Sequence, residues 1–546
     1  MKKFLTISFF MLIPFSLFPQ NLDNGKYWIT LADKAGAEYT LANPSAFLSQ
    51  RSIERRANQK IKLSQEDLPV SKVYIDSLKS LGLTVLGSSK WFNAVIVESY
   101  DSLLLDTLDR ISFVSEFRFK IPRKKTNYNP HFPERVEILN EDKQISGLEY
   151  GRSLAQTAIM KGNSLHDLGY LGNGFQIAVI DGGFYRADIY PAFDSLRDEG
   201  RLLAYRDFSR ATLDFFSTSS HGMSVLSTMA ANLPGEIIGT APKASYYLLK
   251  SEIVESETPL EEALWVLAAE FADSAGADII NSSLGYSVFD DPTMNYTYSE
   301  MDGKTTLVTR AAEKAFSKGM IVVISAGNEG NKTWNYLTAP SDGPNVLSIG
   351  ATDTLGVVAA FSSRGPSPDN RIKPDILAVG SRTTVINASG LVSQGSGTSF
   401  AAPLIAGMVA CLWETAPEKT NYEVIQAIRR SASHYYNPND SAGYGMPNFL
   451  TAMFLLNAKS SKFSNSGLVA IPNPNHGHFE LFSDSIPEGE ASITISNSAG
   501  KIVFTGTKTF NSGFARVDEI EEQGNGLFFI VASKDGKEFF TKVIIL

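Results

Sequence analysis

The chain has 546 residues with 49 Lys plus Arg against 58 Asp plus Glu, a formal net charge of -9. It is too long for one typical domain, so two to four are expected, and the acidic balance argues against nucleic acid or an anionic membrane surface as partner. With 43% hydrophobic and 20% charged residues the composition is globular rather than disordered, and with a single cysteine, Cys411, no intrachain disulfide can form.

Lys2 and Lys3 precede an apolar run from Phe4 to Phe18, then Pro19-Gln20. This is the charged head and short apolar core of a secretory signal peptide, assigned to residues 1–19. It is too short to span a bilayer comfortably, and no later stretch is long and apolar enough for a membrane helix. The mature protein is therefore expected outside the cytoplasm.

Residues 26–119 read as a small α/β unit. Lys26 to Asp33 is a strand; Val70, Val73, Tyr74, Leu78 and Leu81 fall at helical spacing and stop at Gly82. Strands over 83–86 and 91–97, a helix over 103–108 and a strand over 113–119 complete a split βαβ order. Ile121-Pro122-Arg123-Lys124-Lys125, followed by Pro130 and Pro133, is an exposed linker of the kind at which chains are cut; a plain hinge is the alternative.

From Tyr150 to Ala458 short apolar runs (177–180, 246–249, 278–280, 321–324) alternate with amphipathic helices. Thr258-Pro259-Leu260-Glu261 joins a capping box to proline at the first helical position; Leu260, Ala263, Leu264, Leu267, Ala268 and Phe271 mark one face, ending at Gly276. Thr420 and Glu423 repeat the capping pattern. The alternation predicts an α/β fold, a doubly wound parallel sheet. Beyond a serine-rich bridge (459–466), short strands over 479–482, 492–496, 501–505, 527–532 and 539–545 predict an all-β sandwich.

Gly395-Ser396-Gly397-Thr398-Ser399-Phe400-Ala401-Ala402-Pro403 leads into an apolar helical run, placing Ser399 near a helix N-terminus, where free N–H groups favour negative charge. By itself this is equally a glycine-serine loop capping a buried helix. Asp181 ends the apolar run Ile177 to Ile180 and so sits at the sheet edge where open α/β folds place ligands; a turn aspartate is its bland reading. His221, in Ser219-Ser220-His221-Gly222-Met223, opens a helical run, although a lone histidine is usually structural. Asn328 closes the strand in Met320 to Gly330, where an amide can donate to a developing oxyanion or simply form a turn. Cys411 lies in the apolar run after Ser399 and reads as a buried helix position.

IAVIDGGF, SSHGM, INSSLG, SAGNEG and GTSFAAP, in this order, resemble the five signature blocks of the subtilisin-like serine peptidases over residues 150–458. The resemblance implies Ser399 as nucleophile, His221 as general base and then acid, and Asp181 as the group that orients the imidazole. It further implies Asn328 and the Ser399 N–H as oxyanion donors, and Ser283, Leu284 and Gly285 as the edge that pairs with a substrate strand. Two positions depart from the family pattern. Met223 and Ser224 stand where Thr then His often follow the His-Gly pair, and Gly182 stands where Thr or Ser usually follows the Asp.

The flanking segments are similar to family parts as well. Residues 20–122 resemble a propeptide that folds the enzyme and fills its cleft until cut away, with 123–149 as the maturation linker. Residues 467–546, with Ile471-Pro472-Asn473-Pro474-Asn475-His476-Gly477 and the ending Phe540 to Leu546, resemble the sorting domains of type IX secretion cargo, implying release or retention at the outer cell surface. No cofactor is implied. The acidic loop with Asp290, Asp291 and Asp302 is read as solvated, calcium being the alternative there.

The expected function is a secreted endopeptidase with protein or peptide substrates, its own propeptide as intramolecular inhibitor and the secretion machinery as partner of its C-terminal unit. A sedolisin-like acid peptidase, with Glu where His221 stands, and an inactive surface adhesin on a peptidase fold are the competing readings.

Overall fold

A computed structural model of the chain describes residues 21–117 apart from 24 and 109, 148–457 apart from 211–213, and 467–545 apart from 472, 474, 476, 478, 484–485, 487–488, 511–513 and 521–523. The signal peptide, most of the linker at 123–149, the bridge at 459–466, and Pro472, Pro474 and His476 lie outside the described residues.

The N-terminal unit contains β1 (Asn21–Asp23), β2 (Lys26–Leu31), α1 (Gln50–Asn58), α2 (Lys72–Ser80), β3 (Thr84–Ser89), β4 (Ala94–Glu98), α3 (Ser102–Leu108) and β5 (Val114–Phe117). Strands β3, β4 and β2 are adjacent and antiparallel, with β1 and β5 both pairing with β2. Alternation along β2 and β4 sends Ile29, Leu31, Val95 and Val97 into the unit's own core with Leu78 and Leu108. It sends Trp28, Ala94 and Ile96 the other way, onto the neighbouring peptidase helices. Helix α1 was not expected, because its segment is polar; two of its three arginines, Arg55 and Arg56, are nevertheless buried.

The central unit runs α4 (Leu154–Ala158), α5 (Gly162–Asp167), β6 (Gln176–Asp181), α6 (Asp194–Asp198), β7 (Leu202–Asp207), α7 (His221–Ala230), β8 (Asn232–Leu233), β9 (Ile237–Ile238), β10 (Ser245–Lys250), α8 (Pro259–Ala275), β11 (Ile279–Ser282), α9 (Leu307–Ser317), β12 (Ile321–Ser325), β13 (Leu347–Thr352), β14 (Ile376–Val379), β15 (Thr383–Ile386), β16 (Val392–Gly395), α10 (Thr398–Glu414), α11 (Asn421–Arg430) and α12 (Phe449–Asn457). Seven strands form one parallel sheet in the order β14-β13-β12-β11-β6-β10-β7. Ile177 and Val179 face a core shared with α7 and α10, whereas Ala178 and Ile180 face one shared with α8 and α9. This is the predicted doubly wound architecture.

Helix α8 corrects the one-face reading. Its capping box and its left-handed Gly276 stop are as expected, but Glu270 and Asp273 are also buried, while Leu267 and Phe271 are only half-buried. The second face is covered by the N-terminal unit. Asp273 meets Arg55 at 2.6 Å, Arg56 at 2.8 Å and Lys90 at 2.7 Å, and Glu270 accepts from the Ser89 hydroxyl and the Lys90 and Trp91 N–H groups.

The C-terminal unit contains β17 (Val469–Ile471), β18 (Phe479–Phe482), β19 (Gly489–Asn497), β20 (Ile502–Phe510), β21 (Phe514–Val517), β22 (Gly526–Lys534) and β23 (Lys537–Ile545). Sheets β17-β18-β21 and β20-β19-β22-β23 enclose a core with Leu481, Ile493, Phe510, Ile530 and Val543. Phe482 and Phe514 belong instead to the central core, and the Arg430 guanidinium lies 3.8 Å over the Phe514 ring.

Candidate active site

Four adjacent strands, β10, β6, β11 and β12, end at one rim of the sheet, and the sequence-predicted residues gather there. Asp181 is the last residue of β6 and is fully buried. Its Oδ1 accepts the Gly182 N–H at 2.7 Å and lies 2.8 Å from His221 Nδ1. Among the described residues its Oδ2 has no hydrogen-bond partner. Gly222 presses against this pair: a β-carbon there would stand 2.8 Å from Asp181 Cβ and 2.5 Å from the Gly183 carbonyl. The glycine after His221 is thus a close-approach requirement.

His221 opens α7 and remains partly exposed at its ring. Burial works against its charged form, but the Asp181 charge and hydrogen bond outweigh it, with Glu252 adding to them, and hold the imidazole above its ordinary value. Since Nδ1 is taken by Asp181, Nε2 is the nitrogen free for other work. The ring lies 6.0 Å from that of Phe400, the residue after Ser399.

Ser399 is the second residue of α10 and is buried. Its hydroxyl donates to the Ser283 carbonyl at 3.3 Å, and the Ser283 hydroxyl donates back to the Ser399 carbonyl at 2.8 Å. The serine therefore rests against the segment that follows β11. In that segment Leu284 is half-buried and Gly285 exposed, leaving an open edge. Across from it, Asn328 follows β12 and accepts the Thr398 N–H at 2.9 Å and hydroxyl at 3.1 Å through Oδ1, which turns its NH₂ group the other way.

Sequence reading missed three neighbours of this site: Thr398, Glu252 and Tyr286. Thr398 fixes the Asn328 amide. Glu252, two residues past the end of β10, is buried and accepts from the Tyr286 hydroxyl at 2.7 Å. The signal for Glu252 was the one that found Asp181: a carboxylate just beyond the end of a buried strand.

The acidic loop does not fit calcium, which takes six to eight converging oxygens. Asp302 accepts from Lys304 and Thr305, Asp291 caps the Thr293 N–H, and Asp290 accepts the Glu257 N–H. Asp291 and Asp302 each hold up their own turn, and Asp290 ties its loop to the segment before α8. The group that converges among the described residues is Glu252, Glu257 and Glu261, with carboxylate oxygens within 4.8 Å of one another. Burial, with the Asp181 charge adding to it, pushes Glu252 up to about 7; burial with the charges of neighbouring carboxylates pushes Glu257 up to about 9 and Glu261 well above its ordinary range. Cys411 is a buried position of α10, as expected: burial pushes its thiol up, and Sγ rests 3.2 Å from the Thr240 carbonyl.

A parallel α/β sheet with acid, imidazole and hydroxyl at one rim is the frame of a serine hydrolase. Residues 172–446 match the subtilase family (Peptidase S8), and the chain belongs to that family of serine endopeptidases. Subtilisin E of Bacillus subtilis (strain 168) is 30% identical over 294 residues, 53% of this chain and 68% of that protein. Subtilisin of Bacillus pumilus is 30% identical over 279 residues, 50% of this chain and 90% of that protein. Among solved structures, the prenylagaramide maturation protease PagA aligns with a TM-score of 0.43 and 24% identity over 55% of this chain and 99% of its own.

The flanks match as well. Residues 26–134 match the peptidase S8 propeptide domain of Bacteroidota, and residues 470–546 a secretion system C-terminal sorting domain. The chain thus carries a propeptide and a type IX sorting domain, which implies secretion or attachment at the outer cell surface. Among the described residues no helix is long and apolar enough to cross a membrane.

Proposed function

We propose that the chain hydrolyses internal peptide bonds of protein substrates through an acyl-enzyme on Ser399. The observation that carries this reading is the 2.8 Å contact between His221 Nδ1 and Asp181 Oδ1 at the rim where the helix bearing Ser399 begins. Rotation of the Ser399 side chain away from the Ser283 carbonyl brings its proton to His221 Nε2, and Oγ adds to the scissile carbonyl carbon. Asn328 Nδ2 and the Ser399 N–H receive the oxyanion. As the C–N bond breaks, His221 returns the proton to the leaving amine; water then repeats the sequence and frees the acid, while Asp181 stays ionised throughout.

A substrate strand lies along Ser283, Leu284 and Gly285, pairing through backbone groups as an added β-strand. The propeptide occupies this cleft as intramolecular inhibitor until it is cut from the peptidase at the linker, and the sorting domain engages the secretion machinery. Labelling with a serine-directed fluorophosphonate tests the assignment. The wild type is expected to label and to shed its propeptide, and Ser399→Ala to do neither; equal labelling of both removes Ser399 from the mechanism.

A further inference from the structure

Glu252 has no part in the scheme above, yet it stands beside it. Lys250, the last residue of β10, pairs with Asp181 across the sheet, and the Ser251 N–H donates to the Asp181 carbonyl at 3.2 Å. Glu252 therefore emerges at the same rim. It is 9% exposed, too enclosed to serve as a substrate pocket wall. Its Oε1 accepts from the Tyr286 hydroxyl at 2.7 Å and from the Ser251 hydroxyl at 2.8 Å, two donors that hold a carboxylate in place.

The stem of Glu252 leans on Gly182. A β-carbon at Gly182 would stand 3.7 Å from Glu252 Cβ and 3.8 Å from its Cγ, while the Gly182 N–H itself holds Asp181 Oδ1 at 2.7 Å. The departure from Thr or Ser after the aspartate thus coincides with the place where a second carboxylate packs in. A larger side chain there would extend from that β-carbon position into the space beside the Glu252 stem.

We propose that Glu252 is a positioning residue for the reaction: held by Tyr286 and Ser251 against Gly182, its carboxylate joins Asp181 in supporting the His221 imidazolium that forms during turnover. This rests on the triad reading above. The groups that face Glu252 are Asp181 from β6, His221 from α7, Lys250 at the end of β10, Glu257 just before α8, Glu261 in its first turn, and Tyr286 after β11. Burial and the Asp181 charge oppose its ionisation, whereas the two hydroxyls and Lys250 favour it. Glu257 and Glu261 keep their protons to higher pH. Glu252 is consequently the member of the cluster that carries charge in mildly alkaline solution, where a histidine base is at work.

The test is kcat and KM against pH for Glu252→Gln in the full chain, with a peptide substrate. Removing the charge is expected to move the acid limb of kcat/KM to lower pH. At pH 8 kcat is expected to fall about three- to tenfold, with KM unchanged because Glu252 touches no substrate. Tyr286→Phe, which removes a donor that favours the carboxylate, is expected to move the limb the same way and decides the matter if Glu252→Gln does not fold. A limb superimposable on that of the wild type in a folded variant overturns the proposal, as does a raised KM with kcat unchanged. Either result leaves the triad standing, since that reading fails only if Ser399→Ala retains turnover.

Discussion

Thr398 gives both its backbone N–H, at 2.9 Å, and its hydroxyl, at 3.1 Å, to Asn328 Oδ1. The residue before the proposed nucleophile thus sets the direction of the proposed oxyanion donor, tying two segments 70 residues apart into one device. Asn328→Ala is expected to lower kcat by about 10²–10³, the magnitude already established for removing the oxyanion amide of a subtilisin. Thr398→Val, which keeps the N–H bond but loses the hydroxyl, should cost only a few-fold. Steady-state kinetics on both variants check the ordering.

The Asp181–His221 pair sets the pH dependence. Because Asp181 holds the imidazole above its ordinary value, kcat/KM is expected to fall with acidification at a pH above the usual imidazole range of about 6.5. Asp181→Asn should lower kcat about 10⁴-fold and move the limb downward. The same raised value means that the pair stabilises the fold below the unfolded histidine value, and that this contribution is lost as pH rises through the folded one. Rates measured between mildly acidic and alkaline pH also separate this enzyme from a glutamate-based acid peptidase, which would stay active in acid.

Gly222→Ala tests the close approach behind His221. The added methyl would meet the Gly183 backbone carbonyl at 2.5 Å and the buried Asp181 Cβ at 2.8 Å, at the sheet rim. The strain is expected to cost about 1–3 kcal/mol of stability. By displacing the imidazole it should also lower kcat about a hundredfold. Thermal unfolding beside kcat checks both.

Asp273 should govern how tightly the propeptide is held. Burial alone would raise its carboxyl, but Lys90, Arg56 and Arg55 hold it well below the usual range. Its contribution is therefore present above the unfolded aspartate value and is lost only as pH falls below it, so docking should persist in mild acid. Asp273→Ala leaves Arg55 and Lys90 without their carboxylate partner and Arg56 with Asp67 alone, and is expected to cost about 3–5 kcal/mol. Denaturant unfolding of the uncleaved Ser399→Ala chain, with and without the second change, measures this directly.

Period and punctuation made much of the fold legible. The buried strand runs around Ile180 and Ile324, the Thr258 and Thr420 capping boxes and the Gly276 stop all act locally, through backbone geometry and side-chain spacing. Helix α1 was not legible: its segment is polar, and Arg55 and Arg56 find their buried partner in Asp273, more than 200 residues away. The second buried face of α8 was missed for the same reason, because the apolar surface that covers it includes Trp28 and Trp91 of another unit.

The sequence by itself determined which residue types stand at the ends of which strands and helices, since alternation, caps and glycines are written within a few residues of each position. That is how Asp181, His221, Asn328 and Ser399 could be placed at such ends, while the roles proposed for them came from the resemblance of five sequence blocks to subtilisin-like peptidases. Only the tertiary structure decided which carboxylates face which cations and which face one another. Glu252 comes beside Asp181, and Asp290 reaches the Glu257 N–H 33 residues away, because strand order and packing set those distances and no local pattern encodes them.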